Sequence, residues 1–169
     1  MMGESRAIFS VLAANNPGVL FRMSGLFYRR GFNIDSVVAC KTENPLFSRL
    51  TIVATGDEGT FTQLIRQLMK LEDIIKVKVL TVDECSNSEM LLVKVDADGY
   101  ERISVLKIVQ AYGARVLDIS ESTITIEITG QTHEIDEFVE QIERFDILEM
   151  ARTGINALER GDSTIHDDD

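Results

Sequence analysis

The chain has 169 residues, 44% of them apolar, with a mean hydropathy of +0.03 and a formal net charge of −11, the balance of an ordinary soluble globule of one large or two small domains. No apolar run approaches the about 18 residues of a membrane span, and the Met1 start lacks a basic region followed by an apolar leader, so a cytoplasmic protein with no membrane partner is expected. Two histidines and two cysteines without a CxxC pair suggest neither a metal site nor a disulfide frame.

The charge is unevenly placed. Residues 1–87 hold 10 Lys and Arg against 9 Asp and Glu, whereas residues 88–169 hold 7 against 19. So acidic a second half would be repelled by a phosphate backbone, which argues against nucleic acid as a partner.

Residues 7–13 read as a first strand, and the following helix sets Val19 or Leu20, Met23, and Leu26 or Phe27 on one face. Between them lies Asn15-Asn16-Pro17-Gly18. Pro17 sits where a first helical turn tolerates a missing N–H, and Gly18 removes a side chain beside the freed amides. Such a helix start suits a carboxylate or phosphate, and it equally suits a tight turn with Asn as N-cap. Gly31 ends the helix, and residues 32–40 form a second strand. After a turn at Glu43-Asn44-Pro45, residues 50–55 alternate as a third strand. Gly56-Asp57-Glu58-Gly59-Thr60 opens a helix carrying Phe61, Leu64, Ile65, Leu68 and Leu71. Ile75, Val77 and Val79 alternate with Lys76 and Lys78 in a half-buried strand with a basic outer face.

A polar stretch from Asp83 to Ser88 follows, and the pattern restarts: a strand at 90–95, a helix at 101–111, strands at 115–119 and around Ile124, Ile126 and Ile128, a helix carrying Ile135, Phe138, Val139, Ile142 and Phe145, and a strand at 147–151. The fold class expected is α+β, two successive ferredoxin-like βαββαβ units with antiparallel sheets and helices on one face. Gly18 and Gly31 can be laid over Gly99 and Gly113. The first unit then shows Asn15-Asn16-Pro17-Gly18 and Asn33 where the second has Asp96-Ala97-Asp98-Gly99 and Arg115. Two carboxylates at a helix start repel an anion, so an anion site is expected in the first unit only.

Asn15-Asn16-Pro17-Gly18-Val19-Leu20 with Gly31-Phe32-Asn33-Ile34 resembles the ACT domain, a regulatory module that binds amino acids. Residues 6–161 as a whole resemble the small regulatory subunits of acetohydroxyacid synthase, also called acetolactate synthase. Arg29-Arg30-Gly31-Phe32-Asn33-Ile34-Asp35-Ser36, Phe47-Ser48-Arg49-Leu50-Thr51-Ile52-Val53, Met90-Leu91-Leu92-Val93-Lys94-Val95 and Ala151-Arg152-Thr153-Gly154 carry the likeness. It implies residues 1–83 as an ACT domain for the effector, 84–88 as a linker, 89–161 as a C-terminal ACT-like domain and 162–169 as an acidic disordered tail.

It further implies a chain without catalysis of its own, which activates a catalytic subunit and confers feedback inhibition by valine or another branched-chain amino acid. Thiamine diphosphate, Mg and FAD belong to that catalytic partner, and no cofactor is expected on this chain. The implied effector site lies between ACT domains of a homodimer, with Asn15, Pro17, Gly18, Val19 and Leu20 from one chain and Asn33 and Ile34 from the other. In physical terms, the Gly18 and Val19 amides would hold the effector carboxylate, the Asn33 oxygen its ammonium, and Ile34 with Val19 or Leu20 its side chain.

Other readings stay open on the residues alone. Gly18-Val19-Leu20-Phe21-Arg22 superficially resembles the phosphate loop of acylphosphatases, but Arg22 falls on the polar face of a helix already underway. An RNA platform would need aromatics that strand 50–55 lacks. A free-standing ACT regulator of another enzyme remains. Asn33 alone could be turn chemistry, and Arg22, Arg29 and Arg30 a solvated helix face.

Overall fold

The computed structural model describes residues 5–81 and 84–167. The chain divides into two compact units, Met1–Asn87 with Ile155–Asp169, and Ser88–Gly154. In the first, β1 (Ser5–Ala14), α1 (Val19–Arg30), β2 (Ile34–Lys41), β3 (Phe47–Gly56), α2 (Glu58–Leu68) and β4 (Ile74–Leu80) follow the expected order. Their antiparallel sheet runs β2-β3-β1-β4, which leaves one edge of β2 without a neighbouring strand in the sheet.

The central strand explains the rest of this unit. Successive β1 residues point to opposite faces. Ala7, Phe9, Val11 and Ala13 meet Val19, Met23, Leu26 and Phe27 of α1 and Leu64 and Leu68 of α2. On the other face Ile8 packs with Val53, Leu80, Cys85, Ile155 and Ala157. Both faces are covered, so β1 reads as a continuous apolar run rather than an alternation. Ser10 is the buried exception, and its Oγ accepts a hydrogen bond from Arg49 Nη2 at 2.8 Å. Gly31, at φ 65°, closes α1 with its N–H on the Tyr28 carbonyl at 3.3 Å, while Phe32 N–H reaches the Phe27 carbonyl at 3.2 Å. α2 is capped by Asp57, whose Oδ1 accepts the Thr60 amide at 2.7 Å.

The second unit repeats the plan with β5 (Cys85–Asp96), α3 (Gly99–Ala111), β6 (Arg115–Ile119), β7 (Thr123–Gly130), α4 (Thr132–Ile142) and β8 (Ile147–Arg152), in sheet order β6-β7-β5-β8. Leu91, Val93 and Val95 pack with Ile124, Ile126, Ile128, Ile135, Phe138 and Ile142. The two-unit ferredoxin-like fold is therefore as the sequence predicts.

Four local expectations are corrected. Residues 84–88 are not a linker, because β5 already starts at Cys85, which is fully buried rather than part of an open connector. The predicted C-terminal domain, residues 89–161, is divided in space after Gly154. From Ile155 the chain belongs to the first unit, where β9 (Asn156–Glu159), a strand the periodicity did not predict, pairs with the β5 strand whose first residues, Cys85 to Asn87, lie in that unit. Within the tail predicted to be disordered, Ile165 is only 3% exposed. The basic outer face of β4 meets that segment rather than bulk water alone: Lys78 Nζ lies 3.2 Å from Glu159 and 2.9 Å from the Thr164 carbonyl. The common reason is that isolated apolar residues in a polar stretch found a sheet face to cover. Asp83, Asp168 and Asp169, included in the predicted boundaries, lie outside the described residues. No helix among the described residues is long and apolar enough to cross a membrane.

Candidate functional site

The β1–α1 loop is fastened from two sides before any ligand is considered. The Ala14 amide donates to the Asp73 carbonyl at 2.7 Å, and the Asn15 amide to the Leu46 carbonyl at 2.8 Å. The Asn15 side chain is held at both ends, its Nδ2 donating to the Pro45 carbonyl at 3.0 Å and its Oδ1 accepting from Ser48 Oγ at 3.0 Å. Asn16 Nδ2 donates to Asp73 Oδ1 at 3.3 Å, and Arg22 Nε to Asp73 Oδ2 at 2.6 Å. The Asn16 amide, followed by the Arg22 guanidinium, holds the Asp73 carboxyl below the usual aspartate range.

Between these fastenings the chain turns at Gly18, φ 86°, the N-cap of α1. Pro17 therefore precedes the cap instead of occupying the first helical turn, and the predicted Asn cap is absent, because no side chain caps this helix. The first turn of α1 holds no acidic residue. Its leading amides have no carbonyl one turn behind them. The Val19 N–H makes only a long 3.5 Å contact with the Asn16 carbonyl. Unspent donors at the positive end of a helix dipole present a place for one negative charge.

That helix start opens on a cavity of about 260 Å³ lined by Ala14, Asn15, Asn16, Gly18, Val19, Leu20, Ala39, Cys40, Lys41, Ser48 and Leu50. Donors and the Lys41 side chain share it with Val19, Leu20, Ala39 and Leu50, so it combines anion-attracting groups with an apolar wall. Of the residues singled out in the sequence, Asn15, Gly18, Val19 and Leu20 line this cavity. Leu20, 53% exposed, turns away from the core and serves the cavity instead. Pro17 lies beside the cavity, its carbonyl accepting from Arg22 Nη2 at 3.5 Å.

Asn33 and Ile34 are not in this cavity. They stand at the opposite end of β2 from Ala39, Cys40 and Lys41, six residues or about 20 Å along the strand from Ala39 to Asn33. Sequence reasoning missed Ala39, Cys40, Lys41, Ser48 and Leu50. Their signal was the strand register alone, since Lys41 pairs with Ser48 and Ala39 with Leu50 at the end of the sheet where β1 delivers its loop.

The corresponding bend of the second unit is built differently. There Arg102 donates to the carbonyls of Ala97 at 3.3 Å, Ser120 at 2.8 Å and Glu121 at 2.6 Å, spanning the loop, and Asp96 and Asp98 flank the helix start. A second depression, of about 1060 Å³, runs along the outer face of α2 and is lined by residues of that helix and its C-terminal turn alone. Among the described residues, no cluster of three or more His, Cys, Asp or Glu is placed to hold a metal ion.

Residues 9–76 match the family described as the AHAS small subunit-like ACT domain, and residues 88–161 match the small subunit of acetolactate synthase. The probable acetolactate synthase small subunit of Methanothermobacter thermautotrophicus is 40% identical over 159 residues, 94% of this chain and 95% of that one. The acetolactate synthase isozyme 3 small subunit of Escherichia coli is 37% identical over 158 residues, 93% and 97% of the two chains. The crystal structure of the acetolactate synthase small subunit from Thermotoga maritima superposes with a TM-score of 0.87 at 33% identity, covering 94% of this chain and 99% of that one. With both units matched and nearly the whole length of these relatives covered, the chain belongs to the acetolactate synthase small-subunit family.

Proposed function

We propose that this chain is a non-catalytic regulatory subunit, which activates a cytoplasmic acetolactate synthase catalytic subunit and makes it subject to feedback inhibition by a branched-chain amino acid, with valine the first candidate. The observation that carries the reading is the cavity at the start of α1, where amides lacking intrahelical acceptors and Lys41 face an apolar wall. Its 260 Å³ falls below the roughly 300–1,000 Å³ of pockets for drug-sized ligands and suits a small zwitterion. The Gly18 and Val19 amides take the carboxylate, and Val19, Leu20, Ala39 and Leu50 take the side chain. Asn15 frames the wall, because its amide is already engaged by Pro45 and Ser48.

The ammonium partner comes from a second copy. The β2 edge is open for pairing, and antiparallel pairing of two β2 strands about Val37 sets Asn33 of one opposite Lys41 of the other, and Ile34 opposite Cys40. Each cavity then receives the Asn33 and Ile34 that its own chain holds about 20 Å away. A helix terminus contributes roughly 0.3–2 kcal/mol toward a carboxylate, whereas a micromolar to millimolar effector needs about 4–8 kcal/mol, so a shared site accounts for the remainder. Thiamine diphosphate, Mg and FAD belong to the catalytic partner.

The test is reconstitution with a catalytic subunit and titration with valine, leucine and isoleucine, alongside calorimetry on this chain alone. Stimulation by the chain and saturable inhibition by one of the three support the reading. No stimulation, or no amino acid bound at millimolar concentration, refutes it.

A further inference from the structure

The face of the first sheet that α1 and α2 leave open carries a small basic seat. Lys76 pairs with Leu12, Lys78 with Ser10 and Arg49 with Leu12 in the strand register, so the three cations share that face on adjacent strands. In a chain of net charge −11 this seat is occupied by the chain's own acidic end. Lys78 Nζ donates to both Glu159 oxygens at 3.2 Å and to the Thr164 carbonyl at 2.9 Å, and Lys76 Nζ donates to the Asp167 carbonyl. Asp167 Oδ2 accepts the Thr164 amide at 2.5 Å, closing the segment on itself around Ile165, which is 3% exposed.

The segment touches a second place. His166 Nε2 lies 3.4 Å from Glu43 Oε1, and Glu43 sits in the β2–β3 turn. That turn is internally braced, Thr42 Oγ1 accepting the Asn44 amide at 3.1 Å and Asn44 Oδ1 the Leu46 amide at 3.0 Å. Its Pro45 and Leu46 carbonyls are the acceptors that hold the Asn15 side chain and backbone at the cavity. A contiguous series of contacts therefore leads from the C-terminal segment through one turn to the cavity wall.

We infer that residues 161–167 form a releasable acidic strap which, when docked on the Lys76 and Lys78 face, steadies the β2–β3 turn and through it the Asn15 wall of the effector cavity. The inference rests on the reading of that cavity as an amino-acid site. Lysine contacts to the Thr164 and Asp167 carbonyls, an exposed His166–Glu43 contact and one buried isoleucine are a fastening that a competing acidic segment can undo without unfolding the sheet. The strap thus gives the small subunit a second input to the site its effector uses.

The test compares the full chain with one ending at Gly161 and with Ile165→Asp, which removes the anchor and keeps the length. Amide hydrogen exchange is followed without ligand at Asn15 and at residues 46–48, with Val93 as an internal reference, and valine is titrated by calorimetry. Release is expected to speed exchange at the Asn15 amide, leave Val93 unchanged and weaken valine about 5-fold or more. Unchanged exchange at Asn15 in the truncated chain overturns the strap. Should truncation prevent folding, Glu43→Gln reports on the same amide and is judged by the same criterion. If the full chain binds no valine while exchange at Asn15 still responds, the amino-acid reading fails and the strap stands.

Discussion

Arg22 and Asp73 clamp the entrance of α1. The Arg22 guanidinium, one turn into the helix, reaches back to the residue before β4, with Nε at 2.6 Å and Nη2 at 2.5 Å from Asp73 Oδ2. Asp73 also takes the Asn16 amide and, through its backbone carbonyl, the Ala14 amide. One residue thus collects both ends of the β1–α1 loop.

Asp73 gives this clamp a pH dependence. With the Asn16 amide and Arg22 lowering its carboxyl in the folded chain, its contribution is present above the ordinary aspartate value of 3.8 and is lost as pH falls through the lower folded value. Thermal melts between pH 7 and pH 2 of the wild type and Asp73→Asn should differ by a constant amount above about pH 5 and converge in acid. A difference that grows on acidification would contradict the assignment. Because the Arg22 side chain is 44% exposed, Arg22→Ala is expected to lower the melting temperature only slightly.

Gly18→Asp should separate inhibition from activation. A Cβ at Gly18 meets the Arg22 guanidinium, Nη1 at 2.9 Å, which must shift against its hold on Asp73, and the φ of 86° disfavours any side chain, at roughly 1–2 kcal/mol. The new carboxylate stands where the effector carboxylate is proposed to bind. Valine sensitivity should disappear while stimulation of the catalytic subunit stays within about twofold. Full valine sensitivity in this variant would sink the proposed carboxylate position.

Asn33→Ala removes an exposed side chain at the start of β2, so the melting temperature should hold. If it supplies the ammonium contact across a dimer, valine affinity should fall by about 1.5–3 kcal/mol, the range for a hydrogen bond to a charged group. Val37→Asp, at the midpoint of the proposed β2 pairing, should shift the chain toward monomer in sedimentation and weaken valine to a similar degree. Unaltered calorimetry for both variants would exclude the shared site.

Arg152→Met tests the one buried acid of the second unit. Glu89, with 4% of its side chain exposed, receives Arg152 Nε at 2.7 Å and Nη2 at 2.6 Å, and Asp136 on α4 receives Nη1 at 2.6 Å. Burial pushes the Glu89 carboxyl up, and the Arg152 hydrogen bonds overcome that and hold it below its usual range. Removing the cation strands a buried charge, at about 3–5 kcal/mol. Denaturant melts at pH 7 should show this loss. It should begin to shrink above the ordinary glutamate value of 4.5, where the variant's buried and unpaired Glu89 takes up a proton, and shrink further below it as the native pair loses its own advantage.

Periodicity in the sequence was enough to determine the two βαββαβ units. Gly18, Gly31, Gly99 and Gly113 mark the bends of each repeat, and Val19, Met23, Leu26 and Phe27 lie at the spacing that a helix must bury. It also located the bend that opens on the cavity, because a helix start without acidic residues is visible in the order of residues alone.

What it could not supply was anything that depends on which distant segments meet. Ala39, Cys40 and Lys41 line the cavity because β2 turns back at Pro45 and brings them beside the β1–α1 loop, a consequence of register that no local propensity encodes. Asn15 looked like a ligand group in sequence and proved to be held by Pro45 and Ser48. The stretch from Ile155 to Asp167 looked like the end of one domain followed by solvated tail, since its apolar residues are few and without period. Only the folded sheet, with a face that its helices leave uncovered, gives Ile155, Ala157 and Ile165 somewhere to be buried.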